Sequence, residues 1–153
     1  MVSTEKSLAD RVAEGFLRVE RPSSIFSWQD LRREKEFLQL ERIDWEHAGL
    51  NNFDDIYEPN TFINSLGYQY LFPRVYSFCK RFGSAVEAID FVESFYITPC
   101  LGSGNAKKFE LFSTQQKTLA WEVYLQLIED DGLEFFHDWG AAKEILRSIL
   151  LPK

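Results

Sequence analysis

Apolar side chains recur along this chain three or four residues apart, and period-two alternation is scarce. The pattern therefore predicts helices. The first runs over roughly 4–17, where Leu8, Val12 and Phe16 fall on one side with Ala9 and Ala13 beside them. Pro22, Ser23 and Ser24 end it. A second opens at Ser27, with Asp30 in a weak capping box, and runs to about Glu41. Asp44 to Tyr57 reads as turns and loop.

Glu58-Pro59-Asn60-Thr61 reads as the next helix start, with Asn60 or Thr61 as N-cap. The stretch from Phe62 to Phe82 is rich in rings and contains Pro73, which predicts a kink or two helices meeting near Leu71-Phe72. Gly83 suits a left-handed terminus. Ser84 with Glu87 has capping-box spacing and predicts a helix to about Tyr96. Pro99 to Lys108, with its Gly102-Ser103-Gly104-Asn105 run, reads as loop.

Ser113 with Gln116 caps another helix, to about Glu129, whose outside carries only Glu122, Gln126 and Glu129. It is the expected central helix. Gly132 ends it. Asp138 caps the last, with Ala142, Ile145, Leu146, Ile149 and Leu150 facing inward. The expectation is an all-α chain, one domain over 1–153, an irregular or orthogonal bundle of about six helices.

Two stretches resemble an uncharacterised family of small helical bacterial proteins. One is Tyr57-Glu58-Pro59-Asn60-Thr61-Phe62 followed by Tyr68-Gln69-Tyr70-Leu71-Phe72-Pro73. It is similar to that family's Thr-Pro-Glu-x-Phe segment and following Tyr-x-Leu-Pro. The other, Phe112-Ser113-Thr114-Gln115-Gln116 running into Trp121 and Tyr124-Leu125, is similar to its Leu-Thr-Pro-Glu-Gln helix start. Asp44-Trp45-Glu46 resembles a Trp-containing turn upstream. The likeness spans roughly 44–129 and implies a helical fold, with no activity attached to it.

Charge narrows the partners. The chain holds 24 acids against 17 bases, a net charge of −7. Nucleic acid and anionic membrane need a basic surface and are disfavoured. A basic protein is the favoured kind of partner, while simple solubility accounts for the acidity equally well. Cys79 and Cys100 are too few for a disulfide framework, and no apolar leader opens the sequence, so a cytoplasmic setting is expected. No apolar run is long enough to span a bilayer.

No catalytic set is expected, and no metal or cofactor. His47 beside Asp44 and Glu46, and His137 beside Asp138, lack ligand spacing such as His-Glu-x-x-His. Cys79 lies among Tyr76, Phe78 and Phe82 and reads as packing. Cys100 reads as a loop thiol with no histidine to activate it. Gly102 to Lys107 lacks phosphate-loop spacing.

Two acidic stretches remain as candidate partner-binding surfaces. One is Asp130, Asp131 and Glu134, next to Glu129 and Asp138, acids that oppose a helix dipole there. The other is Asp44, Glu46, Asp54, Asp55 and Glu58, interleaved with Trp45, Phe53 and Tyr57. Acids steer and rings anchor, which suits an interface. The same rings could equally pin a long loop to the core. The functional expectation is a protein-binding module. Its most concrete form is a bacterial immunity protein that occludes the active site of a basic secreted toxin or effector domain. The alternative is an adaptor or homo-oligomeric subunit without catalysis.

Overall fold

The computed structural model describes residues 6–26, 34–53, 56, 63–101 and 105–152. Among these residues there are six α-helices, and the only strand-like pairing is an isolated bridge between Phe26 and Ile63. The helices are α1 (Leu8–Gly15), α2 (Glu34–Glu41), α3 (Ser65–Phe82), α4 (Asp90–Ile97), α5 (Thr114–Leu125) and α6 (Trp139–Leu150). The fold is an all-α bundle, as the periodicity predicts.

Local cap chemistry sets several helix starts. Ser7 accepts from the Asp10 amide at 3.1 Å to open α1. Leu8, Val12 and Phe16 are buried as expected. Ser113 and Gln116 form the expected reciprocal capping box on α5. Asp138 caps α6 through the Ala141 amide at 3.0 Å. On α6, Ala142, Leu146 and Leu150 are buried, whereas Ile145 is 42% exposed. The expected caps at Ser27, Asn60 and Thr61 lie outside the described residues.

Asn64, rather than a residue before it, caps α3. Its side chain accepts from the Gly67 amide at 2.7 Å and donates to the Ser24 carbonyl at 3.0 Å. The Asn64 amide reaches the Ile25 carbonyl at 2.8 Å. These bonds lay the start of α3 directly on Ile25.

Proline does not break α3. Ser65–Phe82 is one helix with Pro73 inside it. Pro73 has no amide for the Gln69 carbonyl. Burial on both sides of the proline outweighs that lost bond: Tyr68, Leu71, Phe72, Val75, Tyr76, Phe78 and Cys79 are all buried. One residue along, the Arg74 guanidinium donates to the Tyr70 carbonyl at 2.8 Å.

Three further expectations are revised. Ser84 caps nothing: Gly83–Ala88 is a 3-10 stretch, α4 begins at Asp90, and Glu87 instead accepts from the Glu134 amide at 3.1 Å. The stretch read as loop contains 3-10 turns at Thr98–Cys100 and Asn105–Phe109. And α3, not α5, holds the centre of the core. Phe72 is fully buried against the rings of Phe16, Tyr68, Phe95, Tyr96, Phe109 and Phe112. On α5, Trp121 and Leu125 are only partly buried.

The end of α5 widens into a π-helical stretch, Gln126–Asp130. There the Asp131 amide reaches the Gln126 carbonyl at 2.8 Å, and the Leu133 amide the Leu127 carbonyl at 2.9 Å. Gly132 supplies the positive φ, 73°, that turns the chain.

Candidate binding groove

The polar stripe of α3 opens a groove. Tyr70, Arg74, Ser77 and Arg81 follow one another at four, three and four residues, with Pro73 and Lys80 beside them. The facing wall of α1 brings Ala9, Val12, Ala13, Phe16 and Leu17. The segment after α2, Arg42 to Glu46, closes the third side, and Val19 and Arg21 complete it. The enclosed volume is about 930 Å³.

One contact fixes the third wall. Arg81 donates to the Trp45 carbonyl at 2.7 Å and the Glu46 carbonyl at 3.0 Å. Its guanidinium lies 5.3 Å from the Phe82 ring centroid and 5.7 Å from that of Phe78. The Trp45 side chain then enters the core, its ring 5.4 Å from Phe53 and 6.1 Å from Phe78.

Charge in the groove runs opposite to the chain as a whole. Five cations line it, Arg21, Arg42, Arg74, Lys80 and Arg81, against two acids, Asp44 and Glu46. Their attachments differ. Arg21 pairs with Glu41, 3.5 Å away, and also donates to the Glu41 carbonyl. Lys80 pairs with Asp131 at 2.8 Å. Arg74 lies flat over the Tyr70 ring, 3.7 Å from its centroid, and has no carboxylate partner among the described residues. The exposed side chain of Arg42 likewise has none. Buried Tyr76 donates to Gln126 of the π stretch, tying the groove floor to α5's end.

The expected site residues divide. Asp44 and Glu46 are exposed on the groove wall. Asp44 accepts from His47 Nδ1 at 2.8 Å, and that bond holds its carboxyl below the ordinary value. Asp131 reaches the groove through Lys80. Asp130 and Glu134 are exposed on the turn beyond the π stretch and do not line the groove.

Trp45 and Phe53 correct the expectation of an aromatic surface. They are 9% and 3% exposed, and Phe53 stacks on Phe91 at 5.7 Å and meets Phe78 edge-on at 5.0 Å. Their rings are spent on the core. Asp54, Asp55, Tyr57 and Glu58 lie outside the described residues.

The reactive types are held in other roles. Burial pushes the Cys79 thiol up to about 12 and the Cys100 thiol up to about 11. His137 is exposed. Among the described residues, no three of His, Cys, Asp and Glu gather as metal ligands, and no helix is long and apolar enough to cross a membrane.

The basic stripe of α3 escaped the sequence reading, which weighed Phe62 to Phe82 by its rings. The signal was present in the helical spacing of Tyr70, Arg74, Ser77 and Arg81. Comparison of the chain with family models, curated proteins and solved structures finds no match.

Proposed function

We propose that this chain is a protein-binding module and that the groove between α1, α3 and the Arg42–Glu46 segment is its docking site. The observation that carries this reading is the pairing of an apolar floor with guanidinium groups that lack carboxylate partners. Arg74 is already laid against Tyr70, so little side-chain freedom is lost when it meets a ligand. From Tyr70 to Arg81 the α3 wall extends about 16 Å by helix rise. That length matches about three turns of a docked helix or about five extended residues.

The test is site-directed photocrosslinking in the native cell. A photoreactive side chain at Ala13, inside the groove, is compared with one at Ser148, exposed on α6. A protein adduct formed from Ala13 and not from Ser148 is expected. Equal adducts from both positions, or adducts from Ser148 alone, would remove the groove as the docking site.

A second reading rests on the turn after the π stretch. Asp130 and Glu134 are exposed there, with no cation paired to either side chain among the described residues. Such a tip suits a basic partner, and inhibition of a secreted toxin in the cytoplasm is its most specific form. Reversing both charges should abolish protection of cells that express the toxin encoded beside this chain. Unchanged protection would sink that form.

A further inference from the structure

We infer that the segment received by the groove is acidic, with apolar side chains between its carboxylates, and that Asp131 competes with it for Lys80. The inference rests on the docking reading above and names the partner's chemistry. Its basis is charge complementarity. In a chain of net charge −7, a groove with five cations and two acids is a local inversion.

The cations are placed for carboxylates. Arg42 is exposed and unpaired among the described residues, and Arg74 is held flat by Tyr70 with its guanidinium edge available. Guanidinium forks bind carboxylates in a bidentate manner. Between these cations the lining is Val12, Ala13, Pro73 and Tyr76, which offers apolar contact.

That alternation argues against a phosphate backbone. Nucleic-acid grooves carry an unbroken basic stripe, whereas Asp44 and Glu46 stand on this wall. A segment with spaced carboxylates can set its apolar residues on the floor and avoid the two acids.

Asp131 already occupies one of the positions such a segment would use. Its carboxylate holds Lys80 at 2.8 Å, both side chains about a third exposed. An ion pair this open is worth at most about 1 kcal/mol, so an incoming carboxylate can displace it. The acidic turn and the groove are thereby coupled through one exchangeable contact.

Fluorescence anisotropy with three labelled peptides tests this directly. One alternates Glu with Phe and Leu, the second replaces every Glu by Gln, and the third replaces every Glu by Lys. A short oligothymidylate is the fourth probe. The acidic peptide should bind about tenfold or more tighter than the other three and weaken as salt rises. R42E, a change at an exposed side chain, should weaken it about tenfold, and D131N should tighten it about twofold.

Tighter binding of the Gln or Lys peptide, or equal binding of the oligothymidylate, would overturn the inference. So would an acidic peptide indifferent to R42E and D131N. If no probe binds while Ala13 still crosslinks a partner, the acidic-segment inference fails and the docking reading stands. Loss of the Ala13 crosslink removes the docking reading itself.

Discussion

The hydroxyl of Tyr68 donates to the backbone carbonyl of Phe95 at 2.8 Å. In a continuing helix that carbonyl would accept from the amide four residues on, but residue 99 is proline and has none. Both residues are buried, so water does not substitute. Tyr124 makes the same kind of bond to the next carbonyl, that of Tyr96, at 2.7 Å. Two phenols from α3 and α5 thus finish the end of α4. Burial in turn pushes both hydroxyls well above their ordinary value of 10.0.

Replacing Tyr68 by Phe keeps the ring, which stacks on Phe95 at 4.3 Å, and strands the carbonyl. The expected loss is about 1–3 kcal/mol of unfolding free energy. Urea denaturation measures it. A change below about 0.5 kcal/mol would mean the carbonyl has another donor.

Gly67 is required for contact. A Cβ there would stand 2.5 Å from the Ile25 carbonyl oxygen and 2.7 Å from its Cα. Backbone cannot yield as a side chain can, so Gly67→Ala should destabilise by about 2 kcal/mol or more, despite the better helix propensity of alanine. Gly140, on α6, is the control: its Cβ would sit 3.5 Å from an Asp138 oxygen, an ordinary contact. Gly140→Ala should be neutral or stabilise by under about 1 kcal/mol. Equal midpoints for the two variants would refute the contact argument.

Gln116 joins three segments. Its side-chain oxygen accepts from the Ser113 amide and from Gln69 Nε2, each at 2.9 Å, and its nitrogen donates to the Gly15 carbonyl at 3.0 Å. Gln116→Glu keeps the acceptor and loses the donor, so it separates capping of α5 from attachment of α1. The expected result is α5 intact, with faster amide exchange confined to α1 and a loss of about 1–2 kcal/mol. Uniform exchange changes across both helices would contradict that division.

Asp44 raises the pKa of His47 above its ordinary 6.5, first through their hydrogen bond and then through charge. Asp44 is lowered below its ordinary 3.8, chiefly by the same bond. The His47 contribution to stability is full below its unfolded value and fades as pH rises through the folded one. The Asp44 contribution holds above its unfolded value and fades as pH falls through the folded one. The pair therefore steadies the 44–47 turn between the two folded values. Both side chains are exposed, so a local readout is appropriate. In an NMR titration the His47 midpoint should lie above 6.5 and fall in Asp44→Asn. A midpoint unmoved by that substitution would show that the bond does not persist in solution.

What could be read from the chain beforehand was the chemistry that acts over three or four residues. Ser113 with Gln116, Asp138 with Ala141, and the Leu8-Val12-Phe16 face each involve near neighbours, so the sequence displays them whole. Pro73 carried an equally clear local signal, and there tertiary burial won. Trp45 and Phe53 show the limit differently. A ring among acids looks the same whether it points outward or inward, and the deciding partners, Phe78 and Phe91, come from α3 and α4. The groove was hidden for the same reason. Its three walls are far apart in the chain, and its basic character appears only when one stripe of α3 is set against α1 and the Arg42–Glu46 segment.

The π stretch at Gln126–Asp130 holds more residues per turn than the helix leading into it. Removing one residue there would restore ordinary winding and rotate the downstream chain by about 100°. Leu133 and Phe135, both buried, would swing out of the interior. Selection at this bend therefore acts on spacing: a homologue may exchange the letters between 126 and 131, but a deletion would have to be matched by an insertion before Leu133.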